Sequence, residues 1–212
     1  VVLLVAILFA SCTQTPFSVN PEGQSLFDIL SEEQIETLTL ELDVDKVRSK
    51  ADGYQAALLS WEAPSGQLHA VPVKTKVRGK TRRDLCDFPP LKIKIDSVHH
   101  LGTTTLDVGK FKLVTHCLDA AEGDQYLQKE YLAYQMYGQL TDMAYRVHLV
   151  KIRYVDLNGK YLPEIRYAFL LESKEELLNR LDAEEVDDEL AVTQVNAWQY
   201  NLFAVYQCMI GN

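Results

Sequence analysis

Between Val71 and Ile95 the chain reads VPVKTKVRGKTRRDLCDFPPLKIKI, with apolar and cationic residues in alternation. Val73, Thr75 and Val77 alternate with Lys74, Lys76 and Arg78. After the turn Arg78-Gly79-Lys80 and the pair Pro89-Pro90, Leu91, Ile93 and Ile95 alternate with Lys92 and Lys94. Successive side chains of a strand point to opposite faces, so two half-buried strands are predicted, each with one apolar and one cationic face. The stretch holds eight Lys or Arg and two Asp, although the whole chain carries a formal net charge of -9. Cations gathered on one sheet face against the overall balance point to an anionic ligand, phosphate first among them. The same pattern fits long Lys and Arg stems lying over a solvated sheet face, and at this level both readings stand.

The remaining composition bounds the fold class. With 47% hydrophobic and 24% charged residues in 212, the chain reads as a soluble globular protein able to bury a substantial core. Its acidic total argues against general nucleic-acid binding, which calls for a domain-wide basic excess. Val1 to Ala10 is an unbroken apolar run of ten, followed by Ser11-Cys12 and a polar, Pro-containing stretch. Such a run is too short to cross a bilayer as a helix and suits the apolar core of a signal peptide. Leu8-Phe9-Ala10-Ser11-Cys12 resembles the lipobox of bacterial lipoproteins. Residues 1–12 are therefore expected to form a signal peptide with lipobox, with Cys12 acylated and the protein anchored in the bacterial cell envelope without spanning a membrane. Residues 13–25 read as a tether with little to bury.

Three further cysteines remain. Cys86 and Cys117 flank the second basic strand and form the favoured disulfide pair, whereas Cys208 falls on an apolar helix and reads as a small buried hydrophobe.

Along the chain, alternation predicts strands at Leu38–Val44, Tyr54–Trp61, Gln67–Arg78, Leu91–Ile95 and Lys110–Cys117. After Gly123-Asp124 the period changes. Leu127, Tyr131, Tyr134 and Gly138 recur at helical spacing, as do Leu132, Met136 and Leu140, which predicts a broad-faced amphipathic helix. Tyr145–Asp156 and Ile165–Leu171 form a hairpin around Asn158-Gly159. Residues 172–189 carry nine acidic residues against Lys174 and Arg180, a solvated helix and loop. Val192, Val195, Trp198, Leu202, Val205, Tyr206 and Met209 mark a strongly apolar, buried final helix. The architecture expected is α+β: a β-rich region over 26–110 including the basic hairpin, then an α+β region over 111–212, with the change falling within 96–123.

The order of these parts matters: a cationic hairpin with a Gly-containing turn, a helix carrying Glu130, a hairpin ending at Glu172, a linker and an apolar helix. In kinases a Gly-containing turn covers phosphates, a strand Lys pairs with them and a helix Glu orients that Lys. Residues 71–212 resemble the first part of the spore coat protein H (CotH) kinase-like family of atypical secreted protein kinases. The resemblance rests on Arg78-Gly79, Leu91-Lys-Ile-Lys-Ile95, Lys129-Glu130-Tyr-Leu-Ala-Tyr134, Asn158-Gly159 with Leu170-Leu-Glu172, and Met209-Ile-Gly-Asn212. It implies that Arg78, Lys92 or Lys94 meet nucleotide phosphates, that Glu130 braces one of those cations, and that Glu172 begins the hinge. It also implies ATP, Mg2+ and a protein substrate for the full-length protein.

Two departures stand out. Lys80-Thr-Arg-Arg83 replaces the small hydroxyl residues usual after Arg-Gly, and Pro89-Pro90 displaces a Lys expected before the strand. The family's catalytic and metal-binding carboxylates lie beyond the position matching Asn212. Residues 1–212 are thus expected to hold half a nucleotide cleft, with no catalytic or metal-ligating residue, and to be inactive alone.

Other motifs carry less. Thr115-His116-Cys117 is no Cys-His nucleophile, because adjacent strand residues face opposite ways, and His99-His100 with His116 lacks zinc-ligand spacing. The alternative to a kinase-like protein is a non-catalytic envelope lipoprotein whose basic hairpin binds an anionic polymer or a protein partner.

Overall fold

The computed structural model describes residues 23–186 and 195–211. Seven strands close a barrel: β1 (Thr37–Leu42), β2 (Gln55–Glu62), β3 (Leu68–Val77), β4 (Leu91–Ile95), β7 (Gly109–Val114), β8 (Val147–Asp156) and β9 (Glu164–Leu171). Their order around it is β1-β2-β3-β4-β7-β9-β8. Neighbours are antiparallel except β1 and β8, which run parallel and complete the circle. Two short strands, β5 (His99–Leu101) and β6 (Thr104–Leu106), form a separate ribbon. The mixed α+β class expected from the sequence is therefore observed, and strands from both expected regions, 26–110 and 111–212, share one barrel.

The barrel interior is what the alternation selects. β3 runs exposed-buried along most of its length and β4 alternates from Leu91 to Ile95, sending Val71, Val73, Val77, Leu91, Ile93 and Ile95 inward. They meet Leu38, Leu40 and Leu42 of β1, Val150, Ile152 and Tyr154 of β8, and Ala168 and Leu170 of β9. Each large side chain so buried contributes roughly 1.5–3 kcal/mol of transfer free energy. Helix α1 (Leu26–Glu32), capped by the Ser25 hydroxyl accepting from the Asp28 amide, adds Leu26, Phe27, Ile29 and Leu30 to this core, and the short helix α2 (Val44–Arg48) adds Val44 and Val47. The expected tether therefore ends earlier than residue 25: Gln24 exchanges backbone hydrogen bonds with Thr105 and Asp107.

A second cluster lies on the outside of the barrel. β9 is apolar on both faces, and Phe169 and Leu171 point away from Ala168 and Leu170 to pack with Val114 and Leu127. Leu127 belongs to α4 (Ala121–Gly138), whose Tyr131 and Tyr134 join the same cluster beside Tyr145. The start of α4 approaches the 116–118 segment so closely that a Cβ on Gly123 would sit 2.2 Å from the Leu118 carbonyl oxygen and 2.6 Å from that of His116. Only glycine fits there.

Two expectations about burial fail. Leu132 and Met136 of α4 and Leu140 beyond it are half exposed, so the helix buries one narrow face through Leu127 and its tyrosines. The final helix α6 (Ala197–Ile210) buries Tyr206 alone among its described residues, while Trp198 is 73% and Met209 68% exposed. Cys208 is accordingly an exposed free thiol rather than a buried hydrophobe. Apolar composition made α6 look like core, but it rests on α4 along one edge only.

Candidate anion-binding site

The outward residues of β3, β4 and β7 form a lattice of six lysines. Lys76 stands opposite Lys92, which stands opposite Lys112; Lys74 stands opposite Lys94, which stands opposite Lys110. Strand neighbours lie about 4.8 Å apart and i,i+2 side chains about 6.7 Å apart, so the lattice is compact. Like charges at that spacing oppose folding, and the two rows resolve the repulsion differently.

The row of Lys74, Lys94 and Lys110 is paired. Asp96 is shared between Lys74 at 2.7 Å and Lys94 at 2.5 Å, and Glu175 takes Lys110 at 2.5 Å. The row of Lys76, Lys92 and Lys112 makes no ion pair among the described residues. Lys76 and Lys112 lie over the rings of Tyr54 and Tyr145, 5.9 and 4.8 Å from the centroids. Burial pulls the Lys92 amine below its ordinary pKa, with Lys110 adding to the effect. Burial does the same to Lys112, reinforced by Arg78. These ammoniums thus stand in a poorly hydrated place that favours an added anion.

Arg78 completes the group at the end of β3. Its guanidinium is largely withdrawn from water, which disfavours its charge, and among the described residues no carboxylate forms an ion pair with it. Gly79 follows with a φ of +92°, the left-handed conformation that lets the chain leave the strand. The segment then forms α3 (Thr81–Leu85) and is fastened to the barrel at several points. Arg83 bonds Asp52 and the Lys50 carbonyl, and the Lys50 ammonium bonds the Asp84 carbonyl. Cys86 is disulfide-bonded to Cys117, the pairing the sequence favoured. Phe88 donates its amide to the Cys117 carbonyl, and its own carbonyl accepts from the Thr115 hydroxyl.

A recess of 320 Å³ opens beside this row, lined by Lys92, Lys110, Lys112, Tyr145, Ser173 and Glu175, among others. Ser173 caps α5 (Lys174–Leu181) in a reciprocal capping box with Glu176. On the far side of Tyr145 a larger groove of 910 Å³ runs between α4 and α6.

Each residue singled out from sequence can now be placed. Arg78 and Lys92 belong to the uncompensated group. Lys94 shares its face but is held by Asp96 outside the recess. Glu130 braces a cation, though not a strand lysine: it pairs with Arg82 of α3 at 2.8 Å. Glu172 has a fully buried carboxylate. Arg146 binds it through its guanidinium at 2.7 Å and its amide at 3.0 Å, and Arg180 contributes two contacts of 3.1 Å. Burial alone would raise its pKa, but the hydrogen bonds from Arg180 and Arg146 outweigh it and hold the group below its ordinary range. Its carboxylate is a structural hub unavailable to a ligand. Cys12 lies outside the described residues.

Lys76, Lys112 and Arg82 are the residues that sequence reasoning passed over. Lys112 had a signal in the alternation of Lys110-Phe-Lys-Leu113, which extends the cationic face to a third strand. Arg82 had none, since its contact with Glu130 crosses between separate elements. His116 is buried and stacked on Phe88, with a pKa lowered to about 4 chiefly by burial. With Cys117 in a disulfide, no thiol-imidazole pair exists here.

No family model matches the chain, and comparison with curated proteins and with solved structures returns no significant match.

Proposed function

We propose that this chain carries the nucleotide-phosphate-binding half of an atypical, kinase-like protein of the spore coat protein H type. Arg78, Lys92 and Lys112 would receive the phosphates of ATP. The observation that carries the reading is the set of cations that make no ion pair among the described residues beside the recess at Tyr145 and Ser173. An isolated buried charge is costly unless something compensates it, and a polyphosphate would do so. The order of elements agrees: a strand lysine directly precedes the acid-bearing helix α4, and a hairpin and connector follow.

Within this proposal Lys112 takes the strand-lysine role, Lys94 is left outside it, and Glu130 acts through Arg82 to hold the α3 turn over the site. Glu172 opens the connector through its backbone position alone. Among the described residues no group of three or more His, Cys, Asp or Glu converges to hold a metal ion, so no step is assigned to Mg2+. No residue here is assigned phosphoryl transfer.

Titration calorimetry with ATP at low salt tests the reading. The wild type should bind in the micromolar to millimolar range, and Lys112→Ala and Arg78→Ala should each weaken binding by about tenfold, as expected for a charge-assisted phosphate contact. No heat at millimolar ATP would exclude it. Loss of binding with salt but equal response to any polyanion would instead favour the non-catalytic, polymer-binding lipoprotein.

The envelope location is proposed on the lipobox resemblance at Cys12. Labelled palmitate should be incorporated by bacteria expressing the wild type and not by those expressing Cys12→Ser; equal labelling of both would rule the anchor out.

A further inference from the structure

The lattice extends beyond the recess through Lys74 and Lys94, and we propose that this whole face binds an acidic polypeptide laid in extended form along its strands. Three observations support this. The first is charge: among the described residues the six lysines of the lattice meet two carboxylates, Asp96 and Glu175. Asp96 is divided between two ammoniums, so neither Lys74 nor Lys94 is fully compensated. The second is access. Even in their ion pairs the side chains of Lys74, Lys94 and Lys110 remain 56%, 42% and 39% exposed.

The third observation is geometry. Lys74 and Lys76, Lys92 and Lys94, and Lys110 and Lys112 are each i,i+2 pairs on a strand, about 6.7 Å apart. Alternate side chains of an extended peptide repeat at the same distance. A polypeptide with acidic residues at every second position can therefore present one carboxylate to each member of a pair, whereas a contiguous acidic run sends half its charges away. An anionic bilayer fits less well: the chain as a whole carries -9, so a broad negative surface is repelled by most of the molecule while a narrow peptide meets only the lattice. The surface does not depend on the nucleotide reading, although Lys92, Lys110 and Lys112 line the recess as well.

The test uses the full chain and fluorescence anisotropy of a labelled peptide of alternating Glu and Thr, beside a peptide of the same composition with its Glu residues contiguous. The alternating peptide should bind more tightly, and its affinity should fall steeply from about 50 to about 200 mM salt. The double variant Lys74→Ala with Lys94→Ala should lose about tenfold or more, and Asp96→Asn should gain severalfold. Thermal melting of each variant against wild type checks that the barrel is intact, and Asp96→Asn, which removes no lysine, gives a gain that misfolding cannot mimic. Because Lys92, Lys110 and Lys112 also line the recess while Lys74 and Lys94 lie outside it, saturating inorganic phosphate should weaken peptide binding severalfold without abolishing it.

Abolition of peptide binding by phosphate would overturn the proposal, since the peptide would then be filling the recess. Equal affinity for the two peptides, an unchanged double variant, or binding to phosphatidylglycerol vesicles in place of the peptide would overturn it too. Peptide binding in a protein that ignores ATP would leave this surface standing and remove only the nucleotide reading.

Discussion

Glu172 shows how a single side chain changes meaning between sequence and structure. It stands at the head of an acidic stretch and at the end of a strand, where it reads as a surface acid or as the start of a hinge. In the fold its carboxylate is sealed from solvent and binds two arginines from different segments, Arg146 and Arg180. Removing one partner of a buried pair leaves the others desolvated and unmatched. Glu172→Gln should therefore destabilise the protein at neutral pH by about 2–3 kcal/mol, reduced from the fully buried case because both arginines are partly exposed. Because the folded pKa lies below its ordinary 4.5, the contribution of Glu172 is fully present above that value and is lost as pH falls through the folded one. Urea unfolding from pH 7 to pH 3 should show wild type and variant converging at the acid end. A constant gap across that range would refute the ion-pair account.

Among the elements, the α3 turn is the one whose position controls the candidate site. It is five residues long, buries none of them and has no side-chain N-cap, so it cannot hold its place by packing. Its anchors are the Cys86–Cys117 bond, the Arg83 and Lys50 contacts, and the Arg82–Glu130 pair. The disulfide joins residues 31 apart, for which loop closure in the unfolded chain corresponds to about 3–4 kcal/mol. Replacing both cysteines by serine should lower stability by roughly that amount in denaturant melts. It should also raise amide exchange selectively in 79–88. Uniform exchange across the barrel would contradict a local fastening role.

At the scale of the whole molecule, the closed barrel gives each strand two environments and so separates two jobs. Inward residues make the core; outward residues of β3, β4 and β7 are free to carry charge, while those of β9 and the end of β7 receive α4. The cationic lattice and Glu130 consequently lie on the same outer side of the wall, with Arg78 and Arg82 between them. Had the lysine alternation been shifted by one residue, six ammoniums would have entered the core. The apolar face of α6 is left exposed by the same arrangement, because the barrel wall beneath is already covered by α4.

The sequence alone determined where the barrel strands and the two long helices α4 and α6 lie and which face of each basic strand is charged, since periods of two and of three to four are local properties of the backbone; the short elements α1, α3, β5 and β6 carry too few repeats to show one. It also marked Cys86 and Cys117 as partners, because they bracket a single basic strand. What only the tertiary structure decided is which charges remain without partners. Lys92 and Lys94 are two residues apart and equivalent by pattern, yet Asp96 reaches one and burial isolates the other. Lys112, Arg82 and the burial of Glu172 depend on strand pairings and helix contacts between distant segments. The strength of a charge's interactions is set by its neighbours and their hydration, and no local repeat in the chain records those.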